Sequence, residues 1–278
     1  MKLSRRKLIR YLSLAAGAST LGRLAVAEAT PMFSISLAQW SLHRAFFGKS
    51  VAGGFRAMLD ALMSDPDSVL QGEHHPLDFP VLARQQFGID AVEYVNTFFY
   101  GHADDRTYLA ELKRRADGEG VKSLLIMCDA LGNTGDADTR QRQQAIDNHL
   151  PWLQAASFLG CRAIRVNARG QGSRDEVSSR VADSLHSLGT AAAPLGLYVL
   201  VENHGGLSSD GSWLAATIER ADHPRVGTLP DFGNFRLNPG SEPEYYDRYL
   251  GVTELMPRAR AVSAKSYDFD EQGNETTI

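Results

Sequence analysis

Glu202, Asn203 and His204 end the apolar run Leu200-Val201 just before Gly205-Gly206, so a carboxylate, an amide and an imidazole sit where a buried segment stops. Such groups can move a proton, hold a cation or orient a hydroxyl. The pattern returns at Leu229-Pro230-Asp231-Phe232-Gly233-Asn234 and at Ala261-Val262-Ser263-Ala264-Lys265. Glu93 in Ala91-Val92-Glu93-Tyr94 and Arg165 and Asn167 in the run 163–167 add further polar groups at the ends of apolar runs. Carboxylates beside cationic groups suit removal of a proton from a carbon next to a carbonyl. A divalent cation bridging the carbonyl and an adjacent hydroxyl would stabilise the enediolate that forms.

These groups need elements to position them. Short β-rich runs alternate with longer amphipathic segments, which predicts a parallel sheet wound with helices. Strands are expected at 33–38, 91–95, 122–127, 163–167, 197–202, 226–229 and 259–264. The helices between them show apolar residues returning every three or four positions, as at Tyr108, Leu109, Leu112 and Ala116. Gly120, Gly160 and Gly196 suit left-handed caps leading into the next strand. The first connection, from Trp40 to Asp90, is unusually long, and is either a lid or an insertion. Residues two apart on a strand share a face, which groups Glu202 with His204, Ser263 with Lys265, and Arg165 with Asn167. If the sheet closes into a barrel, Glu93, Arg165, Glu202, His204, Asp231 and Lys265 converge on its C-terminal mouth. Gln39, Trp40 and His43 close the first strand, with Trp40 either a sugar-stacking surface or core.

The chain has 278 residues and a formal charge of −4, with no basic tract beyond its first residues, so no nucleic-acid footprint is present. A small polar ligand is the better expectation. Ser4-Arg5-Arg6-Lys7-Leu8-Ile9-Arg10 resembles the twin-arginine export motif and precedes a weakly apolar stretch and small residues suited to cleavage near Ala29. Residues 1–29 are therefore expected to be a signal peptide and 30–278 the barrel. Loss of the signal would take the formal charge to −9. The mature protein is expected in the periplasm or otherwise exported, without stable membrane insertion, and with a homo-oligomer allowed. Cys128 and Cys161, both in apolar surroundings, read as buried free thiols. His74-His75 reads as a solvated pair, and Gly170-Gln171-Gly172 lacks the full dinucleotide fingerprint.

From Phe33 onward the chain resembles the sugar phosphate isomerase/epimerase group with a xylose isomerase-like (β/α)8 TIM barrel. The resemblance is carried by Ala91-Val92-Glu93-Tyr94, Val201-Glu202-Asn203-His204-Gly205-Gly206, Pro230-Asp231-Phe232-Gly233-Asn234 and Ala264-Lys265-Ser266-Tyr267-Asp268-Phe269. It implies a divalent metal (Mn, Mg, Zn or Co) held by a Glu closing the fifth strand, an Asp closing the sixth, a His on the seventh and a Glu on the eighth. Glu202 and Asp231 match the first two positions. Ser263 stands where many members have the histidine, and Asn234 where the endonuclease branch has another. The sequence ends at Ile278, shortly after the seventh strand, so the barrel is expected to lack its eighth βα unit.

The resulting expectation is a metal-assisted isomerase or epimerase acting on a small sugar or keto-sugar through α-proton abstraction. Glu202, His204 and Lys265 are the expected catalytic groups, Glu93, Arg165, Asn167, Gln39 and Trp40 the substrate-binding ones, and Glu202 and Asp231 the metal ligands. The alternatives are a lyase or dehydratase on a keto-sugar or keto-glycoside, and a non-catalytic carbohydrate-binding barrel with a decayed metal site.

Overall fold

A computed structural model describes residues 33–238 and 240–276. The signal segment expected at 1–29 lies outside the described residues. The chain divides into Met1–Ile35 and Ser36–Ile278, and the fold described here is that of the second unit.

Its strands are β1 Leu37–Ala38, β2 Ala91–Val95, β3 Lys122–Met127, β4 Ala163–Val166, β5 Tyr198–Glu202 and β6 Val226–Leu229. They form one parallel sheet in the order β1-β2-β3-β4-β5-β6. Sequential order without a reversal is the arrangement of a barrel wall; a doubly wound sheet changes direction at a switch point. Every residue of β2, β4 and β6 is buried, as expected for strands covered on both faces.

The major helices are α1 His43–Phe47, α2 Phe55–Ser64, α3 Phe79–Phe87, α4 Arg106–Gly118, α5 Thr139–Leu159, α6 Arg174–Ala192, α7 Gly211–Ala221 and α8 Arg248–Leu255. Asp105, Asp138, Asp210 and Asp247 accept backbone N–H bonds at the starts of α4, α5, α7 and α8, and Ser173 with Glu176 forms a capping box on α6. Each such cap is worth about 1 kcal/mol. Gly160 and Gly196 adopt the expected left-handed conformation between helix and strand.

The long first connection is built of α1, α2, α3 and short 3-10 turns. Phe46, Phe47, Met58, Leu62 and Phe79 from it are buried in the core with Phe98 and Phe99, so the segment packs as part of the body. Cys128 and Cys161 are free and buried.

The expected seventh strand is the main departure. Residues 259–263 run parallel to the β6 chain but meet it only through isolated bridges, Thr228 with Ala259 and Asp231 with Ser263. Between these bridges the later segment holds one residue more than the earlier one, a bulge-like slip that breaks a regular ladder. Pro230 has no N–H to contribute; its carbonyl accepts from Ser263 N at 2.8 Å. The first strand is also shorter than expected, because only Leu37 and Ala38 pair with β2.

Candidate active site

The C-terminal ends of β3, β4, β5 and β6 deliver a connected polar cluster. Arg165, on β4, is 3% exposed and lies between two carboxylates. Its Nη1 donates to Asp129 Oδ1 at 2.7 Å. Its Nε stands 2.8 Å from Glu202 Oε2, but the N–H does not point along that line, so the two atoms form an ion contact while their hydrogen-bonding capacity stays unfilled. Asn167 Nδ2 donates to the same Asp129 oxygen at 2.8 Å. Burial alone would push the Asp129 carboxyl up, but Arg165 and its hydrogen bonds outweigh this and hold it below the usual carboxylate range.

Glu202 closes β5. Asn234 Nδ2 donates to its Oε1 at 3.2 Å, and Lys265 Nζ donates to Asn234 Oδ1 at 2.8 Å. Burial raises the Glu202 pKa; Arg165 opposes this, and the neighbouring Asp231 carboxylate adds to it. Asp231 Oδ1 accepts from the amides of Gly233 and Asn234, and Ser263 Oγ donates to Oδ2 at 2.9 Å. Asn203, on the opposite face of β5, explains why Asp231 is held in place. Its Oδ1 accepts from Asp231 N at 2.7 Å, and its Nδ2 donates to the carbonyls of Asp231 and Asn234.

His204 Nδ1 lies 2.9 Å from an Arg169 Nη2. A guanidinium can only donate, so Nδ1 accepts and the neutral ring carries its proton on Nε2. Burial, with Arg165, Arg169 and Lys265, lowers the His204 pKa to about 3, against a smaller opposing effect of Asp129. The ring is thus an N–H donor at neutral pH.

Glu202, Asp231, Arg165, Asn167 and Lys265 are therefore linked in one network, and His204 lies within electrostatic reach of it. Glu93 stands two residues inside the end of β2; Ser36 Oγ donates to it at 2.7 Å. Burial raises its pKa against the effects of Ser36 and Arg165. Gln39 is a brace: its Oε1 accepts from Val95 N, tying β1 to β2. Trp40 stacks on His43 with centroids 4.9 Å apart and meets Phe98 edge-on, inside an aromatic cluster. Sequence reasoning missed Asp129, Ser36 and Arg169. Asp129 was legible by the same rule that found Glu202, since it directly follows the apolar run Leu124–Cys128. Two surface hollows, one beside Arg114 and Glu119 and one beside Arg174 and Trp213, contain none of these groups.

Among the described residues, no group of three His, Cys, Asp or Glu side chains is placed to hold a metal. A cation between Glu202 and Asp231 would meet oxygen donors, with Ser263 adjoining. That set suits a hard ion such as Mg2+, commonly held by one or two carboxylates with water and substrate. Zinc-type sites draw on imidazole or thiolate, and His204 Nδ1 is already engaged. Glu202 Oε2 receives no aligned hydrogen bond, but it stands 2.8 Å from the Arg165 guanidinium. By donor type alone, oxygen throughout, these residues suit a hard divalent cation.

A family model described as xylose isomerase-like TIM barrel matches residues 82–274. No curated protein matches. Among solved structures, 3-keto-D-glucoside 4-epimerase from E. coli is 18% identical, with 68% of this chain and 73% of that chain covered and a TM-score of 0.55. A xylose isomerase-like TIM barrel protein from Mycobacterium smegmatis in complex with magnesium is 17% identical, with 72% of each chain covered and a TM-score of 0.54. D-psicose 3-epimerase from Clostridium cellulolyticum H10, with D-tagatose, is 14% identical, with 66% of each chain covered and a TM-score of 0.53. At these identities the solved structures speak to fold.

Proposed function

Since the chain belongs to the xylose isomerase-like TIM barrel family, we propose that it is a sugar isomerase or epimerase that removes a proton from a carbon next to a carbonyl. The observation carrying this reading is the pair of buried carboxylates Glu202 and Asp231, flanked by Arg165 and linked through Asn234 to Lys265.

In this reading Glu202 is the base. Asn234 donates to Oε1, and the Arg165 guanidinium, 2.8 Å from Oε2, holds the carboxylate in place. Arg165 is a positioning residue, because its guanidinium is already engaged by Asp129 and Glu202. Lys265 Nζ spends one proton on Asn234 and has others to give to a carbonyl oxygen as it gains negative charge. His204 offers Nε2–H to a substrate hydroxyl. Glu202 and Asp231, with Ser263 and water, would hold a hard divalent cation, which supplies Lewis-acid polarisation of the substrate carbonyl when bound. The same α-proton abstraction serves elimination when a leaving group occupies the β-carbon, so product analysis separates isomerisation from lysis. We extend the proposal to export through the twin-arginine segment, testable by fractionation of the Arg5→Lys/Arg6→Lys variant.

Solvent deuterium exchange into ketoses, keto-glycosides and keto sugar acids, with Mg2+ or Mn2+ added, tests the chemistry. Wild type should incorporate deuterium at the α-carbon, and Glu202→Gln should lose at least about a hundredfold of the rate. Unchanged exchange in Glu202→Gln removes Glu202 as base. Sugar binding by a wild-type protein that exchanges nothing would instead fit a carbohydrate-binding barrel.

A further inference from the structure

Two cations at the mouth of the site meet no carboxylate among the described residues. Arg169, on the loop after β4, is exposed, and its Nη2 contacts His204 Nδ1 at 2.9 Å and the His204 carbonyl at 3.3 Å. Its remaining N–H groups have no protein acceptor in the same network. Lys265 donates to Asn234 Oδ1 and lies 5.5 Å from the Tyr267 ring centroid. Both lie near Glu202. Arg169 reaches it through His204, two residues along the chain; Lys265 reaches it through Asn234, which donates to Glu202 Oε1 at 3.2 Å.

Several guanidinium groups elsewhere on this chain are used differently. Arg165 is balanced by Asp129 and Glu202, Arg174 by Asp210, and Arg220 by Asp175. At the site mouth, by contrast, cationic donors stand beside a neutral imidazole, and an incoming anion would complete the arrangement. The backbone indicates which anion. Phosphate sites typically draw on several backbone N–H groups. Here the amides of His204 and Gly205 donate to Ser208 and Ser209, and that of Gly206 to the Arg236 carbonyl. Those of Gly233 and Asn234 donate to Asp231. These five amides, the ones beside Glu202 and Asp231, are thus already spent within the protein. A planar monoanion bonded by side chains alone, with an Arg fork on one side, is the better match.

We propose that the substrate is a sugar acid, whose carboxylate is bound by Arg169, with Lys265 as the second cation of the site. This rests on the carbohydrate reading above and deepens it. Arg169 is a substrate-binding residue in this assignment, and the pairing of a carboxylate with an exposed guanidinium makes affinity sensitive to ionic strength.

The test is calorimetric binding of 5-keto-D-gluconate, D-fructose 6-phosphate and D-fructose to the full chain in Mg2+, at low and high salt. The keto acid should bind at least about tenfold more tightly than D-fructose, the gain expected of a hydrogen bond to a charged group. Arg169→Gln should bring the keto acid down to the affinity of D-fructose, while Arg169→Lys should recover part of the preference. Melting curves establish that both variants are folded. D-fructose binding as tightly as the keto acid, or an undiminished preference in Arg169→Gln, overturns the proposal. Tighter binding of D-fructose 6-phosphate than of the keto acid overturns it in favour of a phosphate. The exchange assay separates the two readings. Exchange into neutral ketoses with no acid preference refutes the acid proposal alone, whereas acid-selective binding without exchange into any substrate refutes the proton-abstraction reading alone.

Discussion

Arg165→Met is the most informative perturbation of the site because it removes one cation from between two buried carboxylates while keeping an apolar stem of similar length. The wild-type guanidinium is 3% exposed, bonds Asp129 at 2.7 Å and lies 2.8 Å from Glu202. Without it Asp129 keeps only the Asn167 amide, and Glu202 Oε2 faces no cation. Removing one partner of a buried ion pair costs about 3–5 kcal/mol. At about 2–4 °C per kcal/mol for a chain of this size, Tm should fall by roughly 6–20 °C. The contribution of Asp129 to the pH dependence should also change sign. In wild type the folded Asp129 pKa is depressed, so its contribution is present above the unfolded pKa and is lost only as pH falls through the lower folded value. In Arg165→Met burial acts on Asp129 unopposed and raises its folded pKa. Its folded form then holds a proton that the unfolded form has released, and stability declines as pH rises above about 4. Glu202, already raised by burial, reinforces that slope. Urea unfolding from pH 4 to 8 measures both effects, and Arg165→Met/Asp129→Asn should recover part of the loss. A variant within about 1 kcal/mol of wild type, or one whose stability does not recover on acidification, would refute the charge-balance argument.

Other outcomes follow from the same structure. Asn203→Ala strands the Asp231 amide and carbonyl, and should cost about 1–3 kcal/mol in chemical denaturation while weakening Mg2+-dependent stabilisation. His149 is buried with Nδ1 2.6 Å from the Ala145 carbonyl, and burial lowers its pKa to about 4. The unfolded chain therefore binds a proton first, so stability should fall by up to about 3 kcal/mol as pH drops from about 6.5 to 4, and His149→Phe should flatten that slope. Gly251→Ala places a Cβ 2.2 Å from the Phe235 ring where α8 packs, and thermal unfolding should show a loss of about 1–3 kcal/mol.

The alternation of apolar runs with amphipathic segments determined the parallel sheet, and three strand ranges, Ala91–Val95, Lys122–Met127 and Val226–Leu229, were legible to the residue. The polar ends of apolar runs likewise singled out Glu202, Asp231, Arg165 and Lys265, and the structure brings these side chains together. Period-two logic also put Asn203 on the face away from Glu202, without revealing that it pins the Asp231 loop. Tertiary structure alone decided the partners. Whether Glu93 pairs with Arg165 depends on the distances between strands, and the sheet gives Arg165 to Asp129 and Glu202 and leaves Ser36 to Glu93. The tautomer of His204 is set by Arg169, which lies 35 positions away in the chain. The irregular path of residues 259–263 follows from Pro230 and one extra residue in the register, and a pattern of apolar residues does not encode register. Local propensity and periodicity are properties of neighbours in sequence, whereas charge balance and hydrogen-bond direction are properties of neighbours in space.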